Sequence, residues 1–252
     1  MSTQDENGSD EKNWKKPSFV VSGILVALVV AISLVLLIFP SSKDEGSSEE
    51  VATQPQDSSP TGSRNGKSVC GLDATGGTTL TKAPKKVDWE PIRSLYIPVS
   101  DEHGPGVVDE ATQVRTCFSR TPEGALFSAV SMLGASADPE LLVETIETRG
   151  ADSPGKTIAL GQAQERASQS DQTMPPMEFA GFRILSFSED AASVEVVMSV
   201  DDGSQELYQT TSADMVWEDG DWKFKFGDDG SGGAVSAQVS DLSNYVKWDQ
   251  NG

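Results

Sequence analysis

The 22 residues from Ser18 to Phe39, SFVVSGILVALVVAISLVLLIF, contain no charged side chain, and no other stretch of the chain is apolar over such a length. As a helix this run is about 33 Å long, enough to cross a hydrocarbon core of about 30 Å. A cleaved signal peptide has a shorter apolar core and a small-residue cleavage site. Here the run ends in Phe39-Pro40-Ser41-Ser42, and no cysteine follows it to carry a lipid. An uncleaved transmembrane helix over residues 18–39 is therefore expected. Lys12, Lys15 and Lys16 precede the run, and only Lys43 closely follows it. The excess of basic residues on the N-terminal side predicts a cytoplasmic tail over residues 1–17, with the rest of the chain outside the cell membrane.

Residues 40–67 are dominated by Ser, Glu, Gln, Pro, Thr and Gly. Such a stretch buries too little apolar surface to offset its chain entropy, which predicts a disordered linker. Residues 68–252 are then the extracytoplasmic domain. The chain carries 19 Lys and Arg against 39 Asp and Glu, a net charge of −20. Phosphate backbones would be repelled, so direct nucleic-acid binding is not expected. One histidine and two cysteines leave too little material for a zinc site, and no cofactor is expected. In an oxidising compartment the pair Cys70 and Cys117 favours a disulfide over two free thiols. Such a bond would fasten the irregular, Pro- and Gly-rich stretch 71–114 to the domain. The competing reading is a nucleophilic Cys117 assisted by His103, which an oxidised cysteine cannot support.

Helical patterning begins at Thr121-Pro122-Glu123-Gly124, a capping residue followed by proline at the first helical position. Leu126, Val130 and Leu133 follow at helical spacing, with Gly134 as the expected stop. Asp138-Pro139-Glu140 repeats the start signal ahead of Leu142, Val143 and Ile146, and Lys156–Ser170 reads as a third, more polar helix. Met174-Pro175-Pro176-Met177 ends the helical half. From Glu178 the apolar period becomes two: Phe179–Phe187, Ala192–Val200 and Glu206–Trp217 read as strands, with turns at Glu189-Asp190 and Asp201-Asp202-Gly203. Trp217 to Phe224, WEDGDWKF, reads as a hairpin around an Asp-Gly turn. Gly227–Gly233 reads as loose, and Leu242, Tyr245, Val246 and Trp248 as a short closing helix. Helices followed by consecutive antiparallel strands predict an α+β domain, with two or three helices packed on one face of a curved antiparallel sheet.

The order of one anchor, then helices, then a strand meander ending in WEDGDWKF resembles the nuclear-transport-factor-like cone fold. It also resembles the bitopic exterior domains of conjugative type IV secretion systems. A second resemblance rests on His103-Gly104-Pro105, on Cys117-Phe118-Ser119-Arg120-Thr121-Pro122-Glu123-Gly124-Ala125, and on Ala180-Gly181-Phe182-Arg183-Ile184. These segments look like the signature of small actinobacterial membrane proteins carried on integrative conjugative elements. The likeness covers roughly Ile97 to Phe226. Members of that group often lack a cysteine at the Cys117 position, so the resemblance does not itself imply the disulfide. It implies His103, Gly104, Pro105, Thr121, Pro122, Gly124, Ala125, Gly181 and Phe182 as motif positions. It further implies a non-enzymatic structural or assembly component of a conjugative machine, with other subunits of that machine and copies of the same chain as partners. An accessory protein of another envelope system, such as lipid import, and a small-molecule-binding cone are the alternatives.

His103 sits in Asp101-Glu102-His103-Gly104-Pro105-Gly106, a turn-forming string, and is expected in solvent or capping backbone. The acids at Glu189-Asp190, Asp201-Asp202, Asp219, Asp221 and Asp228-Asp229 fall in expected turns and read as solvated, although Asp228-Asp229-Gly230 could hold a divalent ion weakly. Arg183 and Glu195 read as the solvated face of the sheet, or else as contact points within an assembly.

Overall fold

The structure, a computed structural model, describes residues 66–169, 177–201, 206–232 and 237–250. The expected cytoplasmic tail and transmembrane helix and nearly all of the expected linker lie outside these residues, as does most of the Met174–Met177 break. Among the described residues no helix is long and apolar enough to cross a membrane.

The domain is α+β. Strands β1 (Asp88–Ile92) and β2 (Leu95–Val99) form one hairpin; β3 (Val107–Val108) and β4 (Arg115–Thr116) pair as a second. Helices α1 (Pro122–Ala135), α2 (Pro139–Arg149) and α3 (Pro154–Ser168) follow. Then come β5 (Met177–Phe187), β6 (Ala191–Asp201), β7 (Glu206–Glu218), β8 (Asp221–Phe224), β9 (Ala237–Val239) and β10 (Val246–Lys247). The main sheet is antiparallel and open, in the order β10-β5-β6-β7-β8, with β9 also paired to β7. Register shifts in β5 at Phe179/Gly181 and Ile184/Ser186 bend the sheet around the helices.

The first two helices start where the sequence signals place them, and α3 starts at Pro154, two residues before the expected Lys156. The side chains of Thr121, Asp138 and Ser153 accept backbone N–H groups of the first turn, and a proline occupies the first helical position each time. α1 is buried almost all round, so it forms the centre of the domain rather than an amphipathic cover. Leu126, Phe127 and Val130 have no exposed surface and pack with Val194 and Val196 of β6, Met215 of β7 and Trp222 of β8. α1 runs past Gly134, the expected stop, to Ala135, and at Gly134 the close approach of Ile97 leaves room for glycine but not for a Cβ. α3 buries only Gly155, Ala159 and Ala163, a narrow stripe that lets its backbone approach the turn after β8; a Cβ on Gly155 would overlap the carbonyl of Gly227.

Three expectations are corrected. The stretch 71–114 is not wholly irregular, since Ile92, Leu95 and Ile97 of the β1–β2 hairpin enter the core. The closing helix is instead strand β10, paired with Phe182 and Gly181 of β5. The spacing of Leu242, Tyr245 and Val246 is helical, but Val246 and Trp248 alternate as in a strand, and over so short a run the pairing with β5 decides. The described part of Gly227–Gly233 is a closed turn, with Gly227 N–H donating to the Ser231 carbonyl at 2.9 Å.

Candidate functional site

Two of the three motif segments meet directly, and the third joins them through Trp248 and Phe127. Cys117 adopts a left-handed backbone conformation with φ of 67°, which costs a non-glycine residue about 1–3 kcal/mol and must be held by its surroundings. Two devices hold it. Cys117 is disulfide-bonded to Cys70, with Cα atoms 6.0 Å apart. The carboxylate of Asp221 accepts the N–H of Cys117 at 2.7 Å and of Phe118 at 2.9 Å, as well as that of Trp222 at 2.9 Å. Asp221 therefore fastens the segment before α1 to the β7–β8 hairpin. It can do so because Asp219 and Gly220, both at positive φ, close the two-residue turn that places it.

The His103-Gly104-Pro105 loop lies on this junction. The carbonyl of His103 accepts the Ser119 N–H at 3.1 Å, and Gly106 N–H donates to the Cys117 carbonyl at 2.7 Å. Gly104, at φ 109°, has no space for a side chain, because a Cβ there would sit 2.8 Å from both the Cys117 carbonyl and the Phe118 ring. The His103 ring is half-buried, with its centroid 5.7 Å from that of Phe127. It is thus not the solvated turn histidine expected from its neighbours. Burial lowers its pKa from the ordinary 6.5, opposed in part by Glu123 and Glu102.

Thr121 caps α1, accepting the Gly124 N–H at 3.1 Å, and its hydroxyl also bonds Ser119 at 2.8 Å. Pro122 starts the helix and Ala125 is fully buried. A Cβ at Gly124 would overlap the Ser119 carbonyl, which is itself bonded by the Trp222 indole N–H at 2.9 Å. The third motif receives the C-terminal strap. The carbonyl of Ala180 accepts the Trp248 N–H at 3.1 Å, and Gly181 makes room for the Val246 carbonyl. Phe182 meets the Trp248 ring edge-on at 5.4 Å, and Arg183 lies over Tyr245. Trp248 also packs against Phe127 and Trp89.

Several of these partners were not singled out from the sequence. Asp221 reads as a solvated turn acid but is only 6 % exposed. Nearby, Arg149 is fully buried; desolvation lowers its pKa to about 10, with Asp221 opposing the shift. Its Nη2 donates to the Ser128 carbonyl and hydroxyl, and its guanidinium stacks on Phe118 at 4.7 Å. Glu195 is likewise not simply solvated. It is largely buried and accepts from Arg183 Nε at 2.6 Å. Asp229 accepts the Ser231 N–H, and no group of three His, Cys, Asp or Glu suited to a metal occurs among the described residues.

Two concave features flank this framework. A cavity of about 230 Å³ lies between α2, α3 and the end of β8, with Ile146, Ala163 and Phe224 in its walls and Gln162, Arg166 and Ser231 as polar members. An open groove of about 690 Å³ runs between the β1–β2 hairpin, β4, and α2 and α3.

These features define an α+β domain whose motif residues lock a loop, a helix start and a C-terminal strap onto one core. The chain belongs to the family described as a domain of unknown function (DUF8175), which matches residues 50–247. No curated protein and no solved structure matches it.

Proposed function

We propose that this chain is a non-enzymatic assembly component of a membrane machine of the conjugative, type IV secretion-like class in a Gram-positive actinobacterium. In this reading one helix over residues 18–39 holds it in the cell membrane, and the cone-like domain stands outside. The observation that carries the reading is the employment of the motif residues. Gly104, Thr121, Gly124, Gly181 and Phe182 are all committed to cap, close-approach or packing contacts, so these motif positions specify a shape. Motif positions that mostly set shape, with His103 as their one titratable side chain, suit a domain whose output is a binding surface. The uncharged run of Ser18–Phe39 and the basic residues before it support the anchoring and its direction. Copies of the chain and other subunits are the partners this role requires.

The cavity beside Phe224 favours a second reading, a small-molecule-binding domain, because its apolar walls carry a few polar groups in the manner of ligand sites. In-cell crosslinking of the tagged full-length protein, followed by mass spectrometry of what co-purifies from solubilised membranes, separates the two. Conjugation ATPases or channel subunits are expected. Lipid-transport subunits would move the protein to another envelope system, and the absence of any specific partner would leave the cavity as the functional feature.

A further inference from the structure

We propose that the cavity between α2, α3 and the end of β8 binds a small amphiphilic carboxylate, a molecule with one compact apolar group and one anionic head. The periodicity of α3 builds the site. Ala159, Gln162, Ala163 and Arg166 follow at i, i+3, i+4 and i+7, and all four line the cavity. The two alanines are too short to fill the space opposite Leu142 of α2 and Phe226 beyond β8, which leaves a volume of about 230 Å³. That exceeds the roughly 150 Å³ that accommodates benzene and falls short of the roughly 300 Å³ at which drug-sized sites begin. One ring or a short chain fits.

Charge sets the head. Arg93, Arg115, Arg120 and Arg183 pair with carboxylates, and the buried Arg149 bonds Ser128 and stacks on Phe118. Arg166 alone among the described arginines has a guanidinium with neither an ion pair nor a hydrogen bond, in a chain whose net charge is −20. It is exposed at the rim, and it is the only charged side chain among the described residues of the walls. Gln162, one turn earlier, is held beside it by donating from Nε2 to the Asp229 carbonyl at 3.3 Å. The Asp229 carboxylate is turned to the Ser231 N–H at 2.9 Å. An accessible guanidinium with free donors matches both oxygens of a carboxylate, and the apolar walls beside it match an apolar body that shields them from water.

This inference deepens the second reading, of a small-molecule-binding domain, and rests on it. Its test is a titration of the full-length protein in detergent, followed by ligand-observed NMR against a blank of detergent alone. The probes are hydrocinnamate and its primary amide, which share a body and differ in charge. Hydrocinnamate is expected to bind with a Kd of about 1 mM or tighter, and the amide about fivefold more weakly. Arg166→Gln should bring hydrocinnamate down to the level of the amide and change the amide by less than about twofold. Ala163→Leu fills the cavity and should abolish binding of both probes. Its cooperative unfolding in urea is checked first, and Arg166→Gln, at an exposed position, carries the charge test whatever that check shows. Equal affinity of the two probes, or a preference for the carboxylate that survives Arg166→Gln, would overturn the choice of ligand and leave the cavity a binding site. Failure of both probes to bind, or binding that persists in folded Ala163→Leu, would overturn the site and the second reading with it.

Discussion

The carboxylate of Asp221 accepts the backbone N–H of Cys117 at 2.7 Å across 104 positions of sequence. Through that bond, and its companion to Phe118, the tip of the β7–β8 hairpin fixes the backbone that leads into the central helix. The same carboxylate is the negative charge that offsets the fully buried Arg149. Asp221 therefore serves both as an acceptor for three N–H groups and as the counterweight to a buried cation.

Asp221→Ala removes both roles at once. Breaking one side of a buried charge arrangement costs about 3–5 kcal/mol, so urea unfolding of the variant should show a midpoint shifted by that amount of stability. Asp221→Asn keeps an acceptor oxygen and should lose less. A loss below about 1 kcal/mol for the alanine variant would place the residue among ordinary surface turns.

The Cys70–Cys117 bond closes a loop with a sequence separation of 47, for which chain entropy gives at most about 4 kcal/mol. Replacing both cysteines by serine should destabilise the domain by up to that amount, and addition of reductant should lower the melting temperature of the wild type only. Alkylation of the native protein without reductant is expected to leave its intact mass unchanged. Labelling of two thiols would contradict the pairing.

His103 gives the domain a pH dependence of defined sign. Its folded-state pKa lies below the ordinary 6.5 because burial disfavours the charged ring. As pH falls, the unfolded chain takes up this proton first, so the contribution is complete above about pH 6.5 and declines towards the folded-state pKa. Carboxylates with lowered pKa, such as Asp109 and Asp241, act at lower pH. Melting temperatures of wild type and His103→Phe, followed from pH 7.5 to 5.5 (about one unit to either side of 6.5), should therefore diverge, with the wild type losing more on acidification. Parallel curves would show that the ring is not desolvated.

Much of the fold is legible in the sequence because its signals are local. Thr121-Pro122 and Asp138-Pro139 mark helix starts by chemistry within a few residues, and Asp219-Gly220 fixes the hairpin turn in the same way, while the Ser153-Pro154 start lies two residues ahead of the expected Lys156. The β10 strand is not legible, because its conformation is set by Gly181 and Ala180, more than sixty positions upstream. The role of Asp221 is hidden for the same reason: next to Asp219 and Gly220 it reads as one more turn acid, and only Cys117 and Phe118 reveal it as a buried acceptor. The motif positions are visible as a signature, but the employment of each glycine depends on which atom lies beside it in space.

The central claim is that this domain binds and positions rather than catalyses, and His103 is the one side chain for which the alternative is sharpest. The direct test is the transfer frequency of the mobile element in cells carrying His103→Ala, with abundance and partner recovery measured in the same strains. Transfer should stay within about twofold of wild type, whereas loss of a general acid or base would reduce it by about 100-fold or more while the protein remained folded and assembled. The second result would contradict the account.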